Sequence, residues 1–231
     1  MEYAKLYETD REFMDIFDNF ALSDVKNDSE CSLPEKTRYE AVLAALIGCG
    51  GTEMFKEVLS EALEGSLLGA QEVREIVYQA VDYLGMGRVL PFLYAENEVF
   101  LKAGVKLPLP DSSTVNSDSR LEKGVEAQAQ IFGEHMREAW KAGKINRLLG
   151  ENCFGDFYTR TGLSLKEREL ITFCFLMAHG GCEPQLTAHA KGNMNMGNDR
   201  AFLMRVVYQC LPYIGYPGSL NAISCIDKAA E

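Results

Sequence analysis

The residues best suited to chemistry fall in one stretch: Arg168 and Glu169, then His179, Cys182 and His189. Histidine titrates near neutral pH, so an imidazole in a pocket can take up or release a proton during a reaction. Helical spacing puts Leu186, His189, Ala190 and Asn193 on one face, which points His189 toward packed apolar surface or a pocket. A general acid/base explains this pattern; so does a core histidine bonded to a carbonyl or carboxylate. Cys182 precedes Glu183 and Pro184 at a predicted helix N-terminus, where the helix dipole and free N–H groups favour a thiolate. Glu183 opposes that charge. A lone thiol can form a sulfenic acid but has no built-in disulfide cycle, and an inert thiol fits the pattern as well. His179 ends a helix, where C-terminal capping is its plain role. His135 reads as an exposed residue.

Other common sites are absent from the sequence. It has no phosphate loop, no dinucleotide fingerprint, no G-x-S-x-G, no H-E-x-x-H and no C-x-x-C. With three histidines in all, a zinc site is not expected, and no metal or cofactor is implied.

The elements that carry these residues belong to a repeat. Sliding the chain by 130 residues without gaps brings Leu33, Lys36 and Arg38 onto Leu163, Lys166 and Arg168. Gly50-Gly51 falls on Gly180-Gly181, and Val77-Tyr78-Gln79 on Val207-Tyr208-Gln209. Tyr83, Gly85 and Leu90 fall on Tyr213, Gly215 and Leu220. Two copies, roughly 31–105 and 161–231, follow from this. At the same offset His189 meets Leu59, Glu169 meets Tyr39 and Cys182 meets Thr52. The second copy therefore carries polar groups that the first does without. Arg38 and Arg168 match, so an ion pair common to both copies is one reading of Arg168.

Both copies read as helices. Ser32–Glu35 and Ser164–Glu167 have the form of capping boxes, and glycines close the helices that follow. Apolar residues at 55, 58, 59, 62 and 63, and again at 73, 76, 77, 80, 81 and 84, make amphipathic faces. No period-two run is long enough to argue for a strand. The polar stretch 107–119 reads as a linker, and one helix of about 120–142 is predicted after it, anchored by Trp140. The expected fold is all-α, with a divergent N-terminal unit over 1–106, the linker 107–119 and a C-terminal unit over 120–231.

Composition narrows the partners. The net charge is −11, and residues 1–115 carry 21 acidic against 10 basic residues, while the remainder is balanced. Such a field disfavours nucleic acid and anionic membrane surfaces, and favours the C-terminal half for a small anionic substrate. No apolar run reaches membrane-spanning length, and the acidic opening is unlike a signal peptide, so a cytoplasmic location is expected. Seven irregularly spaced cysteines fit buried free thiols.

The stretches FGDFYTRTGLSLKERELITFCFLMAHGG, HAKGNMNMGND and VVYQCLPYIGYPGSLNAISCIDKA resemble the carboxymuconolactone decarboxylase family, of the alkylhydroperoxidase D-like superfamily. The resemblance covers about 154–230 well and the first copy weakly. It implies compact helical units that oligomerise, here as a trimer of tandem chains. It also implies cofactor-independent decarboxylation of a carboxylated lactone, a carboxy-lyase activity. His189 matches the family histidine as acid/base; Arg168 is the candidate carboxylate holder, with Tyr216 and His179 as further substrate contacts. The superfamily's peroxidase branch uses a thiol pair with a glutamate and a histidine. Here Cys182 and Glu169 are the nearest matches, and Gln185 stands at the second thiol position. A thiol-dependent peroxidase, and a differently acting or non-catalytic relative, are the alternative readings.

Overall fold

The computed structural model describes residues 3–231, which form helices joined by short loops and one longer non-helical segment, with no strand among them. The N-terminal part comprises α1 (Leu6–Thr9), α2 (Arg11–Asp18) and a π-helical continuation, Asn19–Lys26. Four longer helices follow: α3 (Glu35–Cys49), α4 (Thr52–Glu64), α5 (Ala70–Leu84) and α6 (Met86–Lys102). The C-terminal part contains α7 (Arg120–Phe132), a 3-10 stretch Glu134–Ala142, α8 (Lys144–Leu148) and a second π-helical stretch, Leu149–Tyr158. It closes with α9 (Leu165–His179), α10 (Glu183–Asn195) and α11 (Arg200–Ala230).

α3 and α9 are buried on nearly every side, from Arg38 to Gly48 and from Arg168 to Met177. A helix apolar all round belongs in the centre, and these two pack on each other there. Gly48 permits the approach: a Cβ on it would lie 2.6 Å from the Phe175 carbonyl oxygen. Side chains of both copies make one continuous hydrophobic core.

The helix bounds keep the 130-residue step. α3 and α9 match end to end, and α5 matches the first leg of α11. α11 bends at Gly215 (φ 76°, ψ 172°), as the chain does between α5 and α6 at Gly85 (φ 77°, ψ 153°). A positive φ favours glycine at both corners. The correspondence also reaches further back than the sequence suggested. The two π-helical stretches begin 130 residues apart, at Asn19 and Leu149. Identity is lost there while the backbone path persists.

Three local expectations change. Ser32 does not cap α3: its N-cap is Pro34, which has no side-chain cap, whereas Ser164 Oγ does accept from the Glu167 N–H at the start of α9. The expected helix 120–142 stops at Phe132, because Gly133 (φ 107°) turns the chain into the 3-10 stretch. Trp140 is half-buried beneath the cations of Lys141 and Arg147 and anchors no neighbouring helix core. The polar segment 107–119 is strapped down by Gln71 Nε2 to Ser112 Oγ at 2.6 Å and by Thr114 Oγ1 to the Thr159 carbonyl at 2.8 Å.

Candidate functional site

α10 turns Leu186, His189, Ala190 and Asn193 inward. His189 Nδ1 lies 2.9 Å from Glu169 Oε2 of α9, and Glu169 is fully buried. The imidazole sits edge-on between Tyr83 of α5 and Phe132 of α7, each ring centre 5.4 Å away. With Nδ1 held by Glu169, Nε2 is the nitrogen left for the cleft that His189 lines.

Glu169 is the end of a chain of donors. Tyr158 donates to its Oε1 at 2.9 Å. With its proton so used, Tyr158 accepts from Tyr83 at 2.7 Å and from Thr172 at 2.8 Å. Thr172 in turn accepts from Gln79 Nε2 at 2.8 Å, and the Cys153 thiol donates to Tyr83 at 3.7 Å. Burial pushes the Tyr83 and Tyr158 hydroxyls well above their usual range, so both remain donors. Every link points at Glu169, which is the terminal acceptor of the chain. Asn193 completes the frame, donating from Nδ2 to the carbonyls of Glu169 and His189 at 2.7 and 2.9 Å.

Gly192 makes room for this pair. A Cβ there would stand 2.4 Å from Glu169 Oε2 and 2.9 Å from the Phe132 ring. The matching residue in the first copy is Ala62, so the helix itself does not call for glycine. Such a comparison of the repeats was the available sequence signal for Gly192.

The cleft has a volume of about 810 Å³. Leu176, Phe132, Phe154 and Leu149 give it an apolar wall, and Lys191, His135, His179 and Asp82 bring charge. Cys182 lines it as the N-cap residue of α10; its Sγ donates to the Leu176 carbonyl at 3.4 Å. Burial and the neighbouring Glu183 push that thiol up, against the thiolate expected from the helix terminus. His179 also lines the cleft, and Arg88 of α6 donates to its Nδ1, which leaves Nε2–H as its free donor. Burial and Arg88 hold His179 below the usual histidine range.

Two sequence candidates lie elsewhere. Arg168 does not hold a substrate carboxylate: it is fully buried, with Nη1 on Gln79 Oε1 at 2.8 Å and Nη2 on Glu75 Oε2 at 3.1 Å and the Arg160 carbonyl at 2.8 Å. Helix α9 turns it away from the face that bears Glu169. Tyr216 is 62% exposed on α11 and stacks on Phe20, outside the cleft. The structure thus brings together His189, Glu169, Cys182 and His179, and adds Tyr83, Tyr158, Asp82 and Phe132. Tyr83 and Asp82 come from the first copy, so the site is not confined to the second.

Among the described residues no helix is long and apolar enough to cross a membrane, and no group of histidine, cysteine and carboxylate side chains is placed to hold a metal ion. A comparison with curated proteins gives no significant match. The family model for the carboxymuconolactone decarboxylase family matches residues 144–228, the stretch that supplies Tyr158, Glu169 and His189.

Proposed function

We propose that the chain is a cofactor-independent acid/base enzyme, a carboxy-lyase acting on a small carboxylated lactone. The observation that carries this reading is the buried Glu169–His189 pair at a cleft of about 810 Å³. Loss of CO2 from such a substrate sends an electron pair into the conjugated lactone carbonyl. A site for that reaction must stabilise negative charge on the oxygen and supply a proton. When protonated, His189 is held by the Glu169 carboxylate and presents Nε2–H to the cleft. Lys191 supplies positive charge for the substrate's carboxylates, and the Arg88-bound His179 offers its Nε2–H as a neutral donor, a role expected of Arg168 from its place beside Glu169.

The thiol-peroxidase alternative draws less support. The thiols that line the cleft, Cys153 and Cys182, are both pushed up rather than down, and Gln185 stands where a second thiol is needed. Apolar side chains left exposed on α6 and α11, among them Tyr94, Leu101, Tyr216 and Leu220, support self-association, with a trimer as our reading, which light scattering on the purified protein tests.

The experiment is direct. Purified protein is given carboxymuconolactone with no added metal or cofactor, and CO2 is measured. Release by the wild type and a loss of about 100-fold or more in His189→Gln and Glu169→Gln is expected. No release by the wild type overturns the reading.

A further inference from the structure

The cleft holds a carboxyl that the Glu169–His189 pair does not use. Asp82 of α5 lines it next to Tyr83, and its Oδ2 is buried without a hydrogen-bond partner. No ion pair to it is formed. The Cys153 thiol of the π-helical stretch lies beside the carboxyl as a hydrogen-bond donor and draws it down, as Arg168 of α9 does from further off, while Asp156 of the same stretch raises it. Tyr83, His135, His179, Cys182, His189 and Lys191 are the other charged or titratable groups that share the cleft with these. Burial pushes the Asp82 carboxyl up to about 7, with Asp156 acting in the same direction.

The fold does not ask for a carboxyl at this point. The 130-residue step pairs Asp82 with Pro212, although its neighbours Gln79 and Tyr83 pair with Gln209 and Tyr213. A buried acceptor left unpaired is a cost to stability, and a neutral carboxylic acid facing a cleft is a proton donor. Two carboxyls in one site are thus set apart by their surroundings. Glu169 accepts from Tyr158 and pairs with His189, whereas Asp82 has only the Cys153 thiol beside it and burial favours its protonated form.

We propose that Asp82 is the catalytic residue that delivers the proton to carbon; this rests on the decarboxylation reading above. The C–C bond to the substrate carboxylate breaks and CO2 leaves. Its electron pair moves through the conjugated double bond onto the lactone carbonyl oxygen, to which His189 Nε2–H donates a hydrogen bond. The pair then returns to form a C–H bond at the carbon next to the carbonyl, with the proton from Asp82. Asp82 is left as carboxylate and regains a proton from water after product leaves. The net change is one substrate carboxylate and one proton converted to product and CO2.

The test runs the reaction in D2O and reads the product by NMR. The wild type is expected to place deuterium in one of the two positions of the new CH2 group. Asp82→Asn and Asp82→Ser are expected to slow CO2 release by about 10- to 100-fold and to fill both positions, because water then protonates the intermediate from either face. A merely structural role would not change that stereochemistry. If both variants keep the wild-type rate and the single position, the assignment of Asp82 is overturned while the decarboxylation reading stands. A wild type that releases no CO2 overturns both. On the unaltered protein, 13C-labelled aspartate is expected to show the Asp82 carboxyl still protonated at pH 6; ionisation complete by pH 5 overturns the assignment without any variant.

Discussion

Arg168 reaches out of its own copy to Gln79, Nη1 to Oε1 at 2.8 Å, and Arg38 does the same in reverse to Gln209, Nε to Oε1 at 3.0 Å. These four residues form two matched pairs at the 130-residue step, so each arginine recognises the other copy's glutamine. The repeat is held together by exchanged contacts, and the arginine match seen in the sequence reports this exchange rather than substrate binding.

Arg168→Met should therefore destabilise the fold strongly. It leaves Glu75 with one cation, Arg160, instead of two, and Gln79 Oε1 without its donor. A loss of about 3–5 kcal/mol in urea unfolding is expected, the range for breaking a buried ion pair from one side. An unfolding midpoint equal to that of wild type would refute the structural role.

Gly192→Ala should disable the site from behind. The new Cβ must displace Glu169 Oε2 or the Phe132 ring, and both hold His189. Overpacking of this kind costs about 1–3 kcal/mol. Activity should fall well beyond what the stability change explains, whereas Ala62→Gly in the matching place should leave activity intact. Comparison of turnover at a temperature where both variants are folded decides this.

Tyr158→Phe removes a donor to Glu169 and the acceptor that serves Tyr83 and Thr172. Two hydroxyls are left to find new partners inside the protein. A loss of about 1–3 kcal/mol follows, together with reduced turnover, read by thermal unfolding and CO2 release.

Glu40 sets a pH dependence of stability. Burial, reinforced by Glu167, pushes its carboxyl up to about 7 from 4.5, against the opposing pull of Lys36. The folded state then binds the proton more tightly than the unfolded one. This contribution is complete below pH 4.5 and is lost as pH rises toward 7. Glu40→Gln should raise stability at pH 8 by about 2–3 kcal/mol and flatten the decline between those limits, as followed by urea midpoints across pH. An unchanged pH slope would count against it.

Cys182 should be a slow nucleophile. Its raised thiol predicts that iodoacetamide at pH 7 alkylates it more slowly than free cysteine, followed by mass spectrometry of the digest. Faster alkylation would reopen the peroxidase reading.

The helical repeat and the second-copy histidine were legible because both are carried by local pattern: capping residues, glycine stops, and the contrast of His189 with Leu59. The His189–Glu169 contact joins residues 20 apart on adjacent helices and was within reach of motif spacing. Tyr83, Tyr158 and Asp82 were not. They reach the site only through the packing of α5 and the π-helical stretch, for which periodicity gives no distance. Arg168 was misread for the opposite reason: it is sequence-adjacent to Glu169, but on a helix adjacent residues face apart. The break at Gly133 is a backbone event that an apolar pattern continuing through Met136 and Trp140 conceals.

Gly48 packs against Ala178, which is its own counterpart under the 130-residue step; a Cβ on Gly48 would lie 2.8 Å from that of Ala178. Two equivalent positions therefore meet each other at the seam between the copies. Tyr83 belongs to one side of this seam and His189 to the other, their rings 5.4 Å apart. The seam works as a caliper on the site. Any widening there is transmitted to the spacing of groups that must meet one small molecule, so the precision of the chemistry is inherited from an apolar contact that touches none of it.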